Sequence, residues 1–210
     1  MARTSETAGE LTRARPADQA RVAAIMARAF FDDPEMVYAF PDVHERTRRL
    51  PWLIGLNAGY GLRYGAVYAA AGWAGAAIWL PPGRTRYTLW RMLRAGMLAV
   101  PLRLTLDALR RLAALGGHAA DLQRRHARGP HWYLAQVGVE PARQHQGIGS
   151  RLLRPMLARC DAERMACYLE TANPANVGLY EHFGFAVVER VDPRGVVPGL
   201  WGMRREPGGA

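Results

Sequence analysis

One stretch constrains this chain more than any other: residues 131–185, HWYLAQVGVEPARQHQGIGSRLLRPMLARCDAERMACYLETANPANVGLYEHFGF. The apolar run Trp132 to Val139 predicts a strand. It enters a proline turn, then Gln144-His145-Gln146-Gly147-Ile148-Gly149, then a helix from Gly147 to about Glu163. Ile148, Leu152, Leu153, Met156, Leu157 and Cys160 recur at helical spacing and give that helix one apolar stripe. Pro155 lies inside it and predicts a bend. A second strand is expected over Cys167 to Thr171, followed by an asparagine-rich turn, a short helix carrying Tyr180, and Gly184-Phe185.

Strand, glycine turn and helix start together make a cradle for a phosphate-bearing cofactor. Gly147 and Gly149 let backbone approach a pyrophosphate where a side chain would block it. The N–H groups of Gln144, His145, Gln146, Gly147, Ile148, Gly149 and Ser150 are able to point into the turn, and the helix N-terminus adds partial positive charge. The spacing is not the three-glycine dinucleotide fingerprint. Nor is it a P-loop, because the chain contains no lysine at all.

The flanking sequence completes a one-domain α/β pattern over residues 10–206, with residues 1–9 expected as a disordered tail. Leu11 to Ala14 predicts a short strand. Asp18 precedes a helix with Val22, Ile25, Met26, Ala29 and Phe30 at helical spacing, which Asp32-Asp33-Pro34 should end. A second helical stretch places Arg46, Arg48 and Arg49 on one side, and Pro51 should sit in a first turn or mark a break. Residues 64–83 carry no charge. Their glycines, alanines and prolines predict a β-hairpin closed by Pro81-Pro82-Gly83 rather than a membrane span. Residues 85–128 form a helical insertion before the cofactor-binding strand, open to three uses: core packing, a lid or a dimer face. Two last strands, Phe185 to Val191 and Leu200 to Arg204, flank a turn at Asp192-Pro193-Arg194-Gly195.

Composition narrows the partners. The net charge of +10 is carried by arginine alone, which suits an anionic ligand but equally reads as solvated surface charge. No zinc spacing, aromatic-interleaved basic strand or recognition helix suggests nucleic acid. The two cysteines, Cys160 and Cys167, make no disulfide framework, and no secretory leader is evident, so a reducing cytoplasm is expected. No metal-ligand spacing occurs.

Several motifs carry a resemblance. Trp132-Tyr133-Leu134, Val137-Gly138-Val139, Gln144 to Gly149, Leu169-Glu170-Thr171 and Tyr180-Glu181 resemble the GNAT superfamily of acyl-CoA-dependent N-acyltransferases, most of all the puromycin N-acetyltransferase group. The resemblance implies a mixed, mostly antiparallel sheet flanked by helices, with acetyl-CoA as the cofactor. It implies a bulged strand at Val137, Gly138 and Val139 that splays from the next strand and binds the pantetheine arm. The N–H near Val139 would face the thioester carbonyl, and Gln144 to Ser150 would hold the pyrophosphate. Asn173 or Asn176 would bond the pantetheine arm or cap the following helix.

Two acid–base roles follow. Tyr180 would protonate the departing thiolate, since a phenol of pKa about 10 keeps its proton at neutral pH and lies modestly above a thiol's 8.5 or so. Glu170 leads as the base for the acceptor amine, although strand alternation leaves its direction open. Asp32, Asp33 and Glu35 are alternatives that would instead attract a cationic amine; His126, His131 and His182 are weaker. Phe30, Phe31, Asp33 and Tyr38 are expected near the acceptor. The resulting expectation is an acetyl-CoA-dependent N-acetyltransferase acting by direct attack on a small-molecule primary amine, as a monomer or homodimer. A peptide acetyltransferase and a non-catalytic acyl-CoA-binding module are the alternatives.

Overall fold

The structure, a computed structural model, describes residues 11–192 and 198–208. The expected tail and residues 193–195 of the expected turn lie outside them.

Chain order runs β1 (Thr12–Arg13), α1 (Gln19–Ala29), α2 (Pro34–Ala39), α3 (Val43–Tyr64), β2 (Ala66–Ala69), β3 (Gly75–Leu80), α4 (Leu89–Arg94), α5 (Val100–Arg103) and α6 (Leu106–His126). It continues through β4 (His131–Val139), α7 (Ile148–Ala162), β5 (Ala166–Thr171), α8 (Ala175–Glu181), β6 (Ala186–Val191) and β7 (Leu200–Arg205). The strands form one seven-stranded sheet in the order β1-β2-β3-β4-β5-β7-β6. Every pair is antiparallel except β4 with β5.

Side-chain alternation gives the sheet two faces, each covered by helices. On one face Leu152, Leu153, Met156, Leu157 and Cys160 of α7 pack on Trp132, Leu134, Cys167, Leu169 and Met203. On the other, α1 and α3 bring Val22, Met26, Leu50, Ile54 and Ala58 onto Val67, Ala76 and Ile78. The far end of that second face is covered by α6, whose Leu122 meets Ala172 and Leu200. Gly138 is required by this packing: a Cβ there would lie 2.8 Å from Ala29 Cβ and 2.9 Å from Met26 Sδ.

Three details differ from expectation. Pro51 neither starts nor breaks a helix, because α3 runs 22 residues through it. The packed stripe on both sides of the proline holds the helix across the lost backbone bond. Arg46 is buried rather than exposed; it donates to Phe40 O (2.8 Å) and its guanidinium lies 4.7 Å over the Phe31 ring. An additional helix, α2, follows Asp33, whose Oδ1 accepts from Glu35 N at 2.9 Å as an N-cap.

Part of the insertion packs into the core, while Leu89, Trp90, Leu93 and Leu102 are exposed. Leu104, Ala108 and Leu115 pack with Ala39 and Phe40 of α2, and Tyr38, Trp52 and Leu53 join them. Among the described residues no helix is long and apolar enough to cross a membrane.

Candidate active site

The site begins where β4 and β5 part. They pair only over His131–Ala166, Trp132–Cys167 and Tyr133–Tyr168. Immediately beyond, the β3–β4 register slips between Ile78 and Trp79, so that Ala135 is the extra residue of β4. A bulge adds local twist and swings the strand away from its neighbour. Residues 136–139 and 169–171 therefore face each other unpaired across a wedge.

Which main-chain groups line that wedge follows from ladder alternation. Glu140 N donates to Ala74 O at 2.9 Å, so Glu140 and Gly138 bond towards β3 and Val137 and Val139 turn the other way. Gln144 Nε2 donates to Val139 O at 3.3 Å on that outer side. The N–H of Val139 thus opens into the wedge with that of Val137, while Gly138 spaces β4 from α1.

At the wide end lies the glycine turn. His145 and Gly147 adopt left-handed φ of 60° and 71°, and Gln144 to Gly147 are exposed. Among the described residues the amides of His145, Gln146 and Gly147 donate to no acceptor. Those of Ile148, Gly149 and Ser150 are the unpaired first turn of α7. A Cβ at Gly149 would meet nothing within 4 Å. Six consecutive amides around an open space fit a diphosphate.

Across the wedge, α8 carries Tyr180 and, four residues earlier on the same face, the half-buried Asn176. Asn173 Oδ1 is occupied by the Ala175 amide at 3.0 Å, a turn-forming bond at the start of α8. Tyr180 is buried against Phe185. Burial, then the negative charge of Asp33, raises its phenol well above the ordinary value.

The opposite face of the wedge is acidic and aromatic. Glu170 points away from α7, on the Tyr168 side of β5, which settles the question alternation left open. Tyr133 Oη donates to Glu170 Oε2 at 2.7 Å, and Glu170 Oε1 is buried without a partner. Burial and then repulsion from Glu35 push Glu170 up to about 8, the Tyr133 bond opposing the rise. Burial and then Asp33 push Glu35 up to about 7. Tyr87, from the loop before α4, rests 4.3 Å from the Tyr60 ring and feels the charge of Glu170.

The structure therefore brings Asp33, Glu35, Glu170 and Tyr180 to one wedge. Phe30 and Phe31 pack on the α1–α3 core, Phe30 Cε2 lying 3.4 Å from where a Cβ of Gly138 would stand. Tyr38 instead belongs to the α2–α6 seam. His131 sits at the paired end of β4, its Nδ1 on Gly129 O at 2.9 Å and its imidazole lowered chiefly by burial. His126 is engaged by Glu189. Sequence reasoning missed Tyr133, Tyr168 and Tyr87. The first two were visible as same-face neighbours of Glu170 on paired strands; Tyr87 carried no local signal.

A bulged strand splayed from a parallel partner, an amide-lined turn at the mouth and a tyrosine across it thus form one cleft. Residues 104–185 match the Acetyltransferase (GNAT) family. The chain is similar to an uncharacterised N-acetyltransferase of Schizosaccharomyces pombe, 30% identical over 186 residues, covering 83% of this chain and 73% of that protein. The chain belongs to the GNAT acetyltransferase family and is an acyltransferase whose cofactor is acetyl-CoA. Its fold is similar to that of a Corynebacterium glutamicum protein of the histone acetyltransferase HPA2 and related group (TM-score 0.70, 21% identity, 96% and 98% of the two chains). It is also similar to arylalkylamine N-acetyltransferase 2 of Aedes aegypti (TM-score 0.66, 10% identity, 94% and 98%). At those identities the likeness is one of fold.

Proposed function

We propose that this chain moves the acetyl group of acetyl-CoA to a primary amine of a small molecule by direct attack in a ternary complex. The observation that carries the reading is Glu170 Oε1, a buried and unpaired carboxylate oxygen on the acceptor side of the wedge. When bound, acetyl-CoA supplies an acetyl group activated as a thioester.

The chain's own groups divide the work. Amides of residues 145–150 would hold the diphosphate, and the outward main-chain groups of Val137 and Val139 would hold the pantetheine arm, with Asn176 beside it. The Val139 N–H would face the thioester carbonyl and stabilise negative charge as it develops. Glu170 Oε1 takes a proton from the acceptor ammonium, for which a pKa of about 8 is well matched. As the N–C bond forms and the C–S bond breaks, Tyr180 Oη would give its proton to sulfur, and the second proton leaving the attacking nitrogen would restore the phenol. Burial keeps that phenol protonated until it is used.

Direct transfer is supported by the thiols. Cys160 and Cys167 are both fully buried between α7 and β5, so neither is placed to carry an acyl group. A small acceptor, of the aminonucleoside-like kind, is supported by the loop before α4. Thr85 is buried there, its carbonyl accepts from Gln123 Nε2 at 3.4 Å, and the Tyr87 ring rests 4.3 Å from that of Tyr60, which narrows the acceptor side against a peptide.

Release of free thiol from acetyl-CoA, followed against a panel of aminonucleosides, arylalkylamines, diamines and N-terminal peptides, tests this. Amine-dependent release with intersecting initial-rate lines is expected. Release with peptides alone, or ping-pong kinetics, overturns the small-molecule or the direct-attack part respectively; no release with any amine overturns the whole.

A further inference from the structure

The exposed apolar side chains of this chain gather in one segment. Of the eleven large hydrophobic residues exposed among the described residues, seven fall within residues 87–106. The other four, Val37, Val43, Leu179 and Val187, are scattered over α2, α3, α8 and β6. Scattered exposure is ordinary for a protein surface, whereas a concentration marks a place where something docks. Leu102 is 87% exposed, Leu89 72% and Trp90 60%, so these side chains stand clear of the protein.

The segment is nonetheless anchored. Met97 belongs to the buried cluster of Tyr60 and Leu80, against which Met92 and Ala95 pack. Leu104 joins the cluster of Ala39 and Phe40, against which Val100 packs. Gly96 turns the chain between α4 and α5 with a left-handed φ of 76°. One set of side chains is thereby held inward, and Leu89, Trp90, Leu93, Leu98 and Leu102 are left outward.

Charge says what would cover them. Residues 84–111 hold seven arginines and one acid, Asp107. Arg110 reaches that acid at 3.5 Å. Arg84, Arg86, Arg91, Arg94, Arg103 and Arg111 are in no ion pair among the described residues. Arg94 lies 4.6 Å over the Trp90 ring and Arg103 5.3 Å over that of Trp52, which sets cation and aromatic side by side. Leucine and tryptophan among uncompensated arginines suit the boundary of a lipid layer: the apolar groups enter it while guanidinium forks hold phosphate oxygens. A second copy would set two cationic faces against each other, which like-charge repulsion opposes. A folded acidic partner would need pockets matched to side chains spread over several short helices, whereas a fluid headgroup layer takes them at any spacing.

We propose that residues 84–111 form a docking face for an anionic phospholipid surface. The attachment is peripheral, since among the described residues no helix is long and apolar enough to cross a membrane. It is independent of which amine the enzyme acetylates.

Cosedimentation of the full-length protein with vesicles tests this, using phosphatidylcholine alone against an equal mixture with phosphatidylglycerol. Binding to the anionic vesicles is expected to be tighter by about tenfold or more, and to weaken at high salt. Trp90→Ser combined with Leu102→Ser should lower that binding about tenfold or more through lost apolar burial. Arg94→Gln combined with Arg103→Gln should lower it by a similar factor through lost charge. All four positions are exposed, so both variants should keep the wild-type melting temperature and coenzyme A affinity. No binding to anionic vesicles overturns the proposal, as does equal binding to both compositions or binding that both variants retain. A dimer in sedimentation velocity that the Trp90→Ser, Leu102→Ser variant dissolves also overturns it, by assigning the face to a second copy.

Discussion

The two sides of the wedge are built by opposite means. The proposed cofactor side uses main chain: two outward-facing valines, a turn of unpaired amides and a helix start, all within residues 137–150. The proposed acceptor side uses side chains from four separate segments, namely α2, the loop before α4, β4 and β5. Main-chain recognition depends on conformation and empty space, so substitutions there should act through geometry. Side-chain recognition depends on charge and burial, so substitutions there should act through chemistry.

The sharpest test of this division is Glu170→Gln. It keeps shape and the acceptor for Tyr133 Oη but cannot take a proton. A fall of about 10²–10⁴ in kcat/KM is expected, with coenzyme A affinity unchanged, read by steady-state kinetics and calorimetry. Tyr180→Phe should lower kcat by about 10–100-fold and again spare coenzyme A binding. If either substitution weakened coenzyme A as much as it slowed turnover, the two sides would not be separable.

The same contrast explains what could be read in the sequence. Strands, α7, the glycine turn and α8 were legible because residues 132–185 carry both their periodicity and their turn chemistry contiguously. The bulge at Ala135 was expected on the right strand only by resemblance, since a bulge leaves no compositional mark. Glu170's direction depended on which face α7 covers, a fact of packing rather than of its neighbours. Pro51 misled because tertiary contacts of Leu50 and Ile54 override a local break. Glu35 was visible only as one of several early acids, and its closeness to Glu170 joins positions 135 residues apart.

Smaller effects probe the frame. Gly138→Ala puts a Cβ against Ala29 and Met26 and should cost about 1–3 kcal/mol of stability by overpacking, measured by denaturant unfolding. The acidic pair also predicts a pH dependence. Its carboxyls are raised in the folded state, to about 7 for Glu35 and about 8 for Glu170. The folded protein therefore holds those protons more tightly than the unfolded chain. Stability from this source is full below about 4.5 and declines as pH climbs through about 7 to 8. Glu170→Gln should flatten the decline in melting temperature between pH 5 and 9, while the wild-type rate rises with apparent values belonging to the pair. The smallest change is expected for Arg28→Ala, which removes an exposed ion pair with Glu140: no more than about 1 kcal/mol.

The central claim is that an open space framed by amides receives the diphosphate of coenzyme A, and Gly149 isolates it. A Cβ there meets no packed neighbour within 4 Å, so Gly149→Val should fold and melt close to the wild type. Calorimetric titration with coenzyme A should then show at least about tenfold weaker binding in the variant, the scale of a lost charged hydrogen bond or more. Equal dissociation constants for the two proteins would contradict the account.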